Sequence, residues 1–322
     1  MTLADIFNVM DAALRVSTPL IFCAMAGIFS ERSGIIDISL EGKLLASAFA
    51  AACVATVTGS PVLAMLVAML VSMCLSVLHG VACINYRGNQ VVSGLAINIL
   101  MSGLTVVLGI AWFSQGGQTP SLPQSSRFMP IELPGAAALA DIPVLGPLYS
   151  GVISGHNILV YVAFLAVLFT SWVIYRTRFG LRLRAVGENP QAVDTAGISV
   201  AWMRYRAVII CGALCGIGGT YLAIAQNAGF SREMSAGQGY IALAAMVFGN
   251  WRPGKALMAC LLFGLLDAVA IRLQGVSLPM VGEVPVQLIQ SLPFVLTVVL
   301  LAGFFGRSIA PKAIGQPYSK DR

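Results

Sequence analysis

Apolar residues in this chain come in long, nearly uncharged runs separated by short polar stretches. Each run is close to the ~20 residues a helix needs to cross a bilayer, too long for a strand, and the runs are too numerous to be the buried core of a soluble fold. They predict spans at about 12–29, 35–58, 62–84, 90–112, 156–175, 206–226, 236–250, 254–274 and 286–306. The seventh is short and holds Gly237, Gly239 and Gly249, which leaves it open to being a tilted or broken helix instead of a clean crossing. The pattern gives an all-α, polytopic membrane protein of about nine transmembrane helices, read as a single transmembrane domain over residues 1–322.

Composition supports lipid as the solvent: 58% of the 322 residues are hydrophobic and 10% charged, where a soluble domain carries about a quarter charged residues. The first residues lack a basic segment and a small-residue cleavage site, so they do not read as a secretory signal. Leu3, Ile6, Phe7, Met10 and Leu14 recur at helical spacing, which suits an amphipathic helix lying at the interface or a cap on the bundle. Seven cysteines lie within or at the ends of apolar runs and read as packing residues, with no metal set around them.

Lys and Arg beside spans are retained in the cytoplasm, so the net charge of +6 is a statement about topology before it is one about partners such as nucleic acid. Arg176, Arg178, Arg182, Arg184, Arg204 and Arg206 mark the loop 176–205 as cytoplasmic. The loop 113–155, with Arg127 alone and much Pro, Gly and Ser, is then outside, as a lid, a docking surface or a plain connector. Counting spans from it places the N-terminus outside and the C-terminus inside.

Within the cytoplasmic loop, Asn189 is a good N-cap, Pro190 fits the first helical position and Gly197 fits the left-handed residue after the last turn. They enclose a helix of about two turns, which needs a surface to pack on. The flanking Arg residues would lie at headgroup level, leaving Gln191, Ala192, Val193, Thr195 and Ala196 as a small mixed knob for a socket on a partner, or for packing on its own chain.

The runs FSERSGIIDISLEG, NQVVSGLAINIL, RLRAVGENPQAVDTAGI and GYIALAAMVFGNWRPGKAL, in that order, resemble those of bacterial ABC-importer permeases of the ribose-type branched class. SERSG followed by LEG is most similar to the nucleoside-type members, although Asp37 stands where those often carry Asn. The resemblance covers residues 15 to 306. It implies that the capped helix is the coupling helix for a separate ATP-hydrolysing subunit, with Gly187, Glu188, Asn189, Pro190, Ala192, Ala196 and Gly197 on the family's pattern. It further implies a second permease subunit, a homologous but different chain, and an extracytoplasmic substrate-binding protein. ATP and Mg would then belong to the ATPase, with no cofactor in this chain, and the setting would be a bacterial inner membrane. The first residues fall near the family's second helix, which fits an odd number of spans.

Polar residues at membrane depth are costly and mark functional candidates. Glu31, Arg32, Asp37, Ser39, Glu41 and Lys43 surround the join between the first two spans, which is open either to an interrupted helix acting as a hinge or to a cytoplasmic turn held by Arg32 and its neighbouring carboxylates. Gln90, Ser93 and Asn98 lie on or near one face of the fourth span, and Gln226, Asn227 and Gln238 are expected to cluster near the outer ends of the sixth and seventh. Amides and hydroxyls suit a path for an uncharged nucleoside or sugar, and equally suit hydrogen bonding between helices. Gly212, Gly216 and Gly219 read as close helix packing. GNWRPGKA imitates a phosphate-binding loop but lacks the hydroxyl residue after Lys255 and a preceding strand, so it is a turn. His79 and His156 have no partners for metal or nucleophile chemistry nearby in sequence. The expected function is an ABC-importer permease, not an enzyme, providing the path for a nucleoside or simple sugar. An ion-coupled secondary transporter is the alternative, for which Asp267 is the one carboxylate well inside a late span.

Overall fold

The computed structural model describes residues 3–132, 149–273 and 309–320, with Ser277–Leu278, Gly282–Glu283, Ser291 and Val295 as isolated pieces. Helix α1 runs over Leu3–Arg32, α2 over Leu40–Thr58, α3 over Pro61–Gly80 with a π turn through Asn85, and α4 over Gln90–Phe113. Then follow α5 at Ile158–Arg176, α6 at Arg178–Glu188, α7 at Pro190–Thr195 and α8 at Val200–Tyr221 with a π turn through Gln226. Helices α9 at Gln238–Phe248 and α10 at Pro253–Leu273 follow. The described residues depart from an all-α fold only in an antiparallel pairing of Ser277–Leu278 with Gly282–Glu283 and a lone bridge between Pro130 and Asn157.

Among the described residues seven helices are long and apolar enough to cross a membrane: α1 from Ile6, α2, α3, α4, α5, α8 and α10, with α3 and α8 extended by their π turns. They match seven of the nine expected spans. The ninth, 286–306, lies outside the described residues. At the place of the seventh stands α9, whose 11 residues give about 16 Å, roughly half the hydrocarbon thickness. The helix is broken because residues 227–236 stay non-helical and Gly237, at φ 82°, holds a left-handed position immediately before it. The amphipathic start is no separate interfacial element: it continues into α1, where Val9 and Ala13 are buried.

Polar residues set the helix starts. Ser60 accepts from the Leu63 amide, Asn89 from those of Val91 and Val92, Asn157 from Leu159, Thr177 from Gly180 and Ser199 from Trp202. Helix α1 forms the centre of the bundle, with 83% of its apolar window buried, and α3 and α4 its margin at 22% and 28%. Between helices in lipid there is little hydrophobic drive, so close approach at small residues carries the packing. Gly212 and Gly216 of α8 lie against Met73 and Met69 of α3, and Gly219 faces Ser47 and Leu44 of α2. A Cβ at Gly219 would stand 2.1 Å from Ser47 Oγ and 2.6 Å from the Leu44 carbonyl. Gly219→Ala is therefore expected to lower stability by about 1–3 kcal/mol, read as an earlier thermal unfolding transition in detergent.

The bundle has two distinct ends. At one, residues 114–132 lie over the chain at 224–230, through Thr119 N to Phe230 O (3.1 Å), Leu122 N to Ala228 O (2.8 Å) and Phe128 N to Ile224 O (3.1 Å). Asp11 reaches His156 there at 3.5 Å, so the N-terminal part of α1 is at this end too. At the other, Arg32 donates to the carbonyls of Trp251 (3.1 Å) and Asn250, and residues 309–320 pack beside Gly187 and Gly34. Residue 3 and residues 309–320 thus lie at opposite ends.

Candidate functional site

Two interruptions of the helices meet inside the bundle. The first is the segment 33–39 between α1 and α2. It turns at Gly34, whose φ of 89° and close neighbours, the Ala313 carbonyl and Arg204, favour glycine. Gln90 accepts from the Ile36 amide at 2.7 Å, His79 reaches the Ile36 carbonyl at 2.9 Å and Ser93 at 3.0 Å, and so the start of α4 holds the segment from one side. Asn98 makes three bonds: it accepts from Gly42 N (2.8 Å) and donates to Ile38 O and Tyr240 Oη (2.9 Å each). It lies eight residues, about 12 Å, into α4, so α2 begins well below the end of the bundle.

Behind this segment Asp37 and Lys43 form an ion pair at 2.5 Å with both side chains 0% exposed. Ser39 donates to the other carboxylate oxygen at 2.5 Å, and the Cys211 thiol of α8 donates at 3.3 Å. A buried charge is tolerable only when so paired and hydrogen-bonded. Asp37 and Ser39 are therefore buried and bonded within the protein, beside the break between α1 and α2.

The second interruption is residues 227–237. Glu41, half-buried in the first turn of α2, accepts from Gly237 N at 2.8 Å and Gly239 N at 2.6 Å, and so closes the free amides at the positive end of α9. Gly239 packs directly on Glu41: a Cβ there would stand 2.5 Å from the Glu41 nitrogen. Hydrogen bonds to a charged acceptor contribute about 1.5–3 kcal/mol. Glu41→Ala is expected to loosen α9, raising hydrogen exchange at Gly237 and Gly239 while α5 is unchanged. Nearby, Ser102 donates to Glu233, and Tyr240 is 42% exposed. Ser102 is the midpoint residue of α4, so these groups sit near half-depth.

The expected cluster of Gln226, Asn227 and Gln238 is divided. Gln226 and Asn227 are exposed at the end covered by residues 114–132, where Asn227 donates to Leu222 O at 2.9 Å, while Gln238 opens α9 beside Glu41. The alternative of a turn held by Arg32 and its carboxylates is corrected as well: Arg32 bonds the backbone of Asn250 and Trp251, and Glu31 accepts from Trp251 Nε1 at 2.6 Å. The corner at 249–252 puts Asn250 and Trp251 at φ 53° and 51° with Trp251 buried, a structural turn with no phosphate cradle.

At the Arg32 end, Asn189 accepts from Ala192 N at 3.1 Å, Pro190 opens α7, and Gly197 follows at φ 78°. Glu188, Asn189, Gln191, Ala192, Thr195, Ala196 and Gly197 are exposed. Val193, expected on the knob, is 6% exposed and anchors it, since the short helix needs an apolar foot. Gly187 is buried with a Cβ position 2.3 Å from the Arg32 carbonyl, so it serves packing beneath the exposed face. Arg204, expected at headgroup level, is 1% exposed and donates to Ser33 O (3.2 Å) and Gln316 O (3.3 Å).

Ser102, Glu233 and Tyr240 are the additions the structure makes to the candidate residues. Glu233 carried one signal, a carboxylate in the run FSREMSAGQ beside the weakest span. Its partner on α4 is 131 positions away and invisible to spacing.

Comparisons with known proteins agree with this architecture. Residues 9–303 match the family model described as branched-chain amino acid transport system / permease component. The nucleoside ABC transporter permease protein NupC of Lactococcus lactis subsp. cremoris is 38% identical, with 96% of each chain covered. The guanosine ABC transporter permease protein NupQ of Bacillus subtilis is 39% identical over 98% of this chain and 97% of its own. Among solved structures, an ABC transporter assigned to the metal-chelate type, in an inward-facing conformation, aligns at TM-score 0.50 and 17% identity. It covers 91% of this chain and 84% of that one, a likeness of fold. The ion-coupled alternative is not favoured by these relatives. The chain belongs to the branched-chain-type permease component family and is a membrane-spanning permease subunit of an ABC importer.

Proposed function

We propose that the chain forms, with a second and different permease chain, the path of a bacterial inner-membrane nucleoside importer. The carrying observation is the polar face at half-depth: Glu41, Ser102, Glu233 and Tyr240 converge there, and Glu233 and Tyr240 are exposed. An exposed carboxylate at that depth is costly against lipid, so the face suits a water-filled path closed by a partner subunit. Carboxylate, hydroxyl and phenol groups match the N–H and O–H donors of a nucleoside, and nearly identical chemistry would serve a simple sugar.

Sidedness follows from charge. Arg176, Arg178, Arg182, Arg184, Arg206, Arg252, Lys255, Lys312 and Lys320 belong to the segments that gather at the Arg32 end, which we assign to the cytoplasm. That places residue 3 outside, gives the exposed face of α7 to the ATPase subunit, and leaves residues 114–132 to meet an extracytoplasmic binding protein. The domain is then one transmembrane unit with an outer loop at 113–155 and a coupling loop at 176–205, and ATP and Mg remain with the ATPase.

Co-expression with a second permease and an ATPase, followed by uptake of guanosine, ribose and glucose into proteoliposomes, tests this reading. ATP-driven uptake of the nucleoside is expected. Uptake by this chain alone, or of the sugars only, would overturn it. Glu233→Ala is expected to lower nucleoside uptake about tenfold, the equivalent of ~1.4 kcal/mol, while Asn227→Ala leaves it unchanged.

A further inference from the structure

Helix α7 is too small to hold a partner by itself. A stable protein interface covers about 800 Å² on each side and 20–30 residues, and the exposed face between 188 and 197 offers seven. The missing surface lies beside it. Residues 309–320 form no helix or long strand, and ordering such a segment costs roughly 1–2 kcal/mol per residue. Hydrogen bonds to four separate elements offset part of that cost: Ile309 N to Asn250 Oδ1 (3.1 Å), Ala313 N to Gly187 O (2.9 Å), Gly315 N to Gly34 O (3.0 Å) and Gln316 O from Arg204 (3.3 Å).

The segment is two-sided. Pro311 and Ala313 are buried against the bundle, whereas Lys312, Gln316, Pro317, Ser319 and Lys320 are exposed. Lys320 stands 3.7 Å from Asp194 of α7. Between the segment and the start of α7 runs a polar groove of about 400 Å³, walled by Glu188, Asn189 and Gln191 on one side and by Lys312, Gln316 and Ser319 on the other. A body seated on α7 therefore meets both walls.

We propose that residues 312–320 are the second element of the surface on which the ATPase subunit docks. The inference rests on the assignment of α7 to that subunit. It adds a route for force: the same segment bonds Gly34 directly and is bridged to Ser33 by Arg204 of α8, so a push on this rim reaches the 33–39 break.

Photo-cross-linking in the co-expressed complex tests it. In a Cys74→Ser background, Ala192→Cys, Lys312→Cys, Ser319→Cys and, as a control at the opposite end, Gln115→Cys each carry a benzophenone maleimide. Cross-links to the ATPase from positions 192, 312 and 319 but not 115 are expected. A cross-link from 192 with none from 312 or 319 would overturn this inference and leave α7 as the docking helix. Absence of all three would remove the docking assignment and this inference with it.

Discussion

Replacing Lys43 by Met should destabilise the protein by about 3–5 kcal/mol, because it leaves the Asp37 carboxylate fully buried with its countercharge gone. Ser39 and Cys211 would still donate to that carboxylate, but neither supplies charge. The double variant Asp37→Leu/Lys43→Met removes both charges and is expected to recover most of the loss, since a buried pair exchanged for apolar groups of similar volume is often neutral. Chemical unfolding of the purified chain in detergent measures both. A single variant costing under about 1 kcal/mol would mean that water reaches the pair and that the 33–39 segment is open to the path.

The second large effect concerns function with folding intact. Ala192→Trp sets a bulky ring on the exposed face of α7. Membrane insertion and thermal stability should be those of the parent, while ATP-driven uptake in the assembled transporter falls to background. Val193→Ala is the contrast: Val193 is the buried foot of the same helix, so its truncation should lower stability first. Unchanged uptake by Ala192→Trp would show that α7 does not bear on the ATPase.

The spans were legible because lipid demands an unbroken apolar run, a signal that no tertiary context has to supply. The caps of α7 were legible for a similar reason: Asn189, Pro190 and Gly197 act within one or two turns. Helix α6 was missed although Thr177 caps it and Leu183 and Val186 share its buried side, because its Arg residues read as topology markers. Val193 and Arg204 went the other way, expected outward and found buried; Arg204 is covered because its partners Ser33 and Gln316 come from distant segments. In the membrane the same limit applied. Asn98 was picked out as a polar residue in a span, but its bonds to α2 and the 33–39 segment depend on where the chain breaks between α1 and α2, and its bond to Tyr240 on how α9 enters the bundle. Glu233 and Ser102 meet only because residues 227–237 turn back into it.

The central claim is that the end carrying α7 faces the cytoplasm, where an ATPase can grip it. Labelling of Ala192→Cys, in a Cys74→Ser background, with a membrane-impermeant maleimide measures this directly. Reaction in inverted vesicles and protection in right-side-out vesicles is the expected result, and the reverse pattern would contradict the whole assignment.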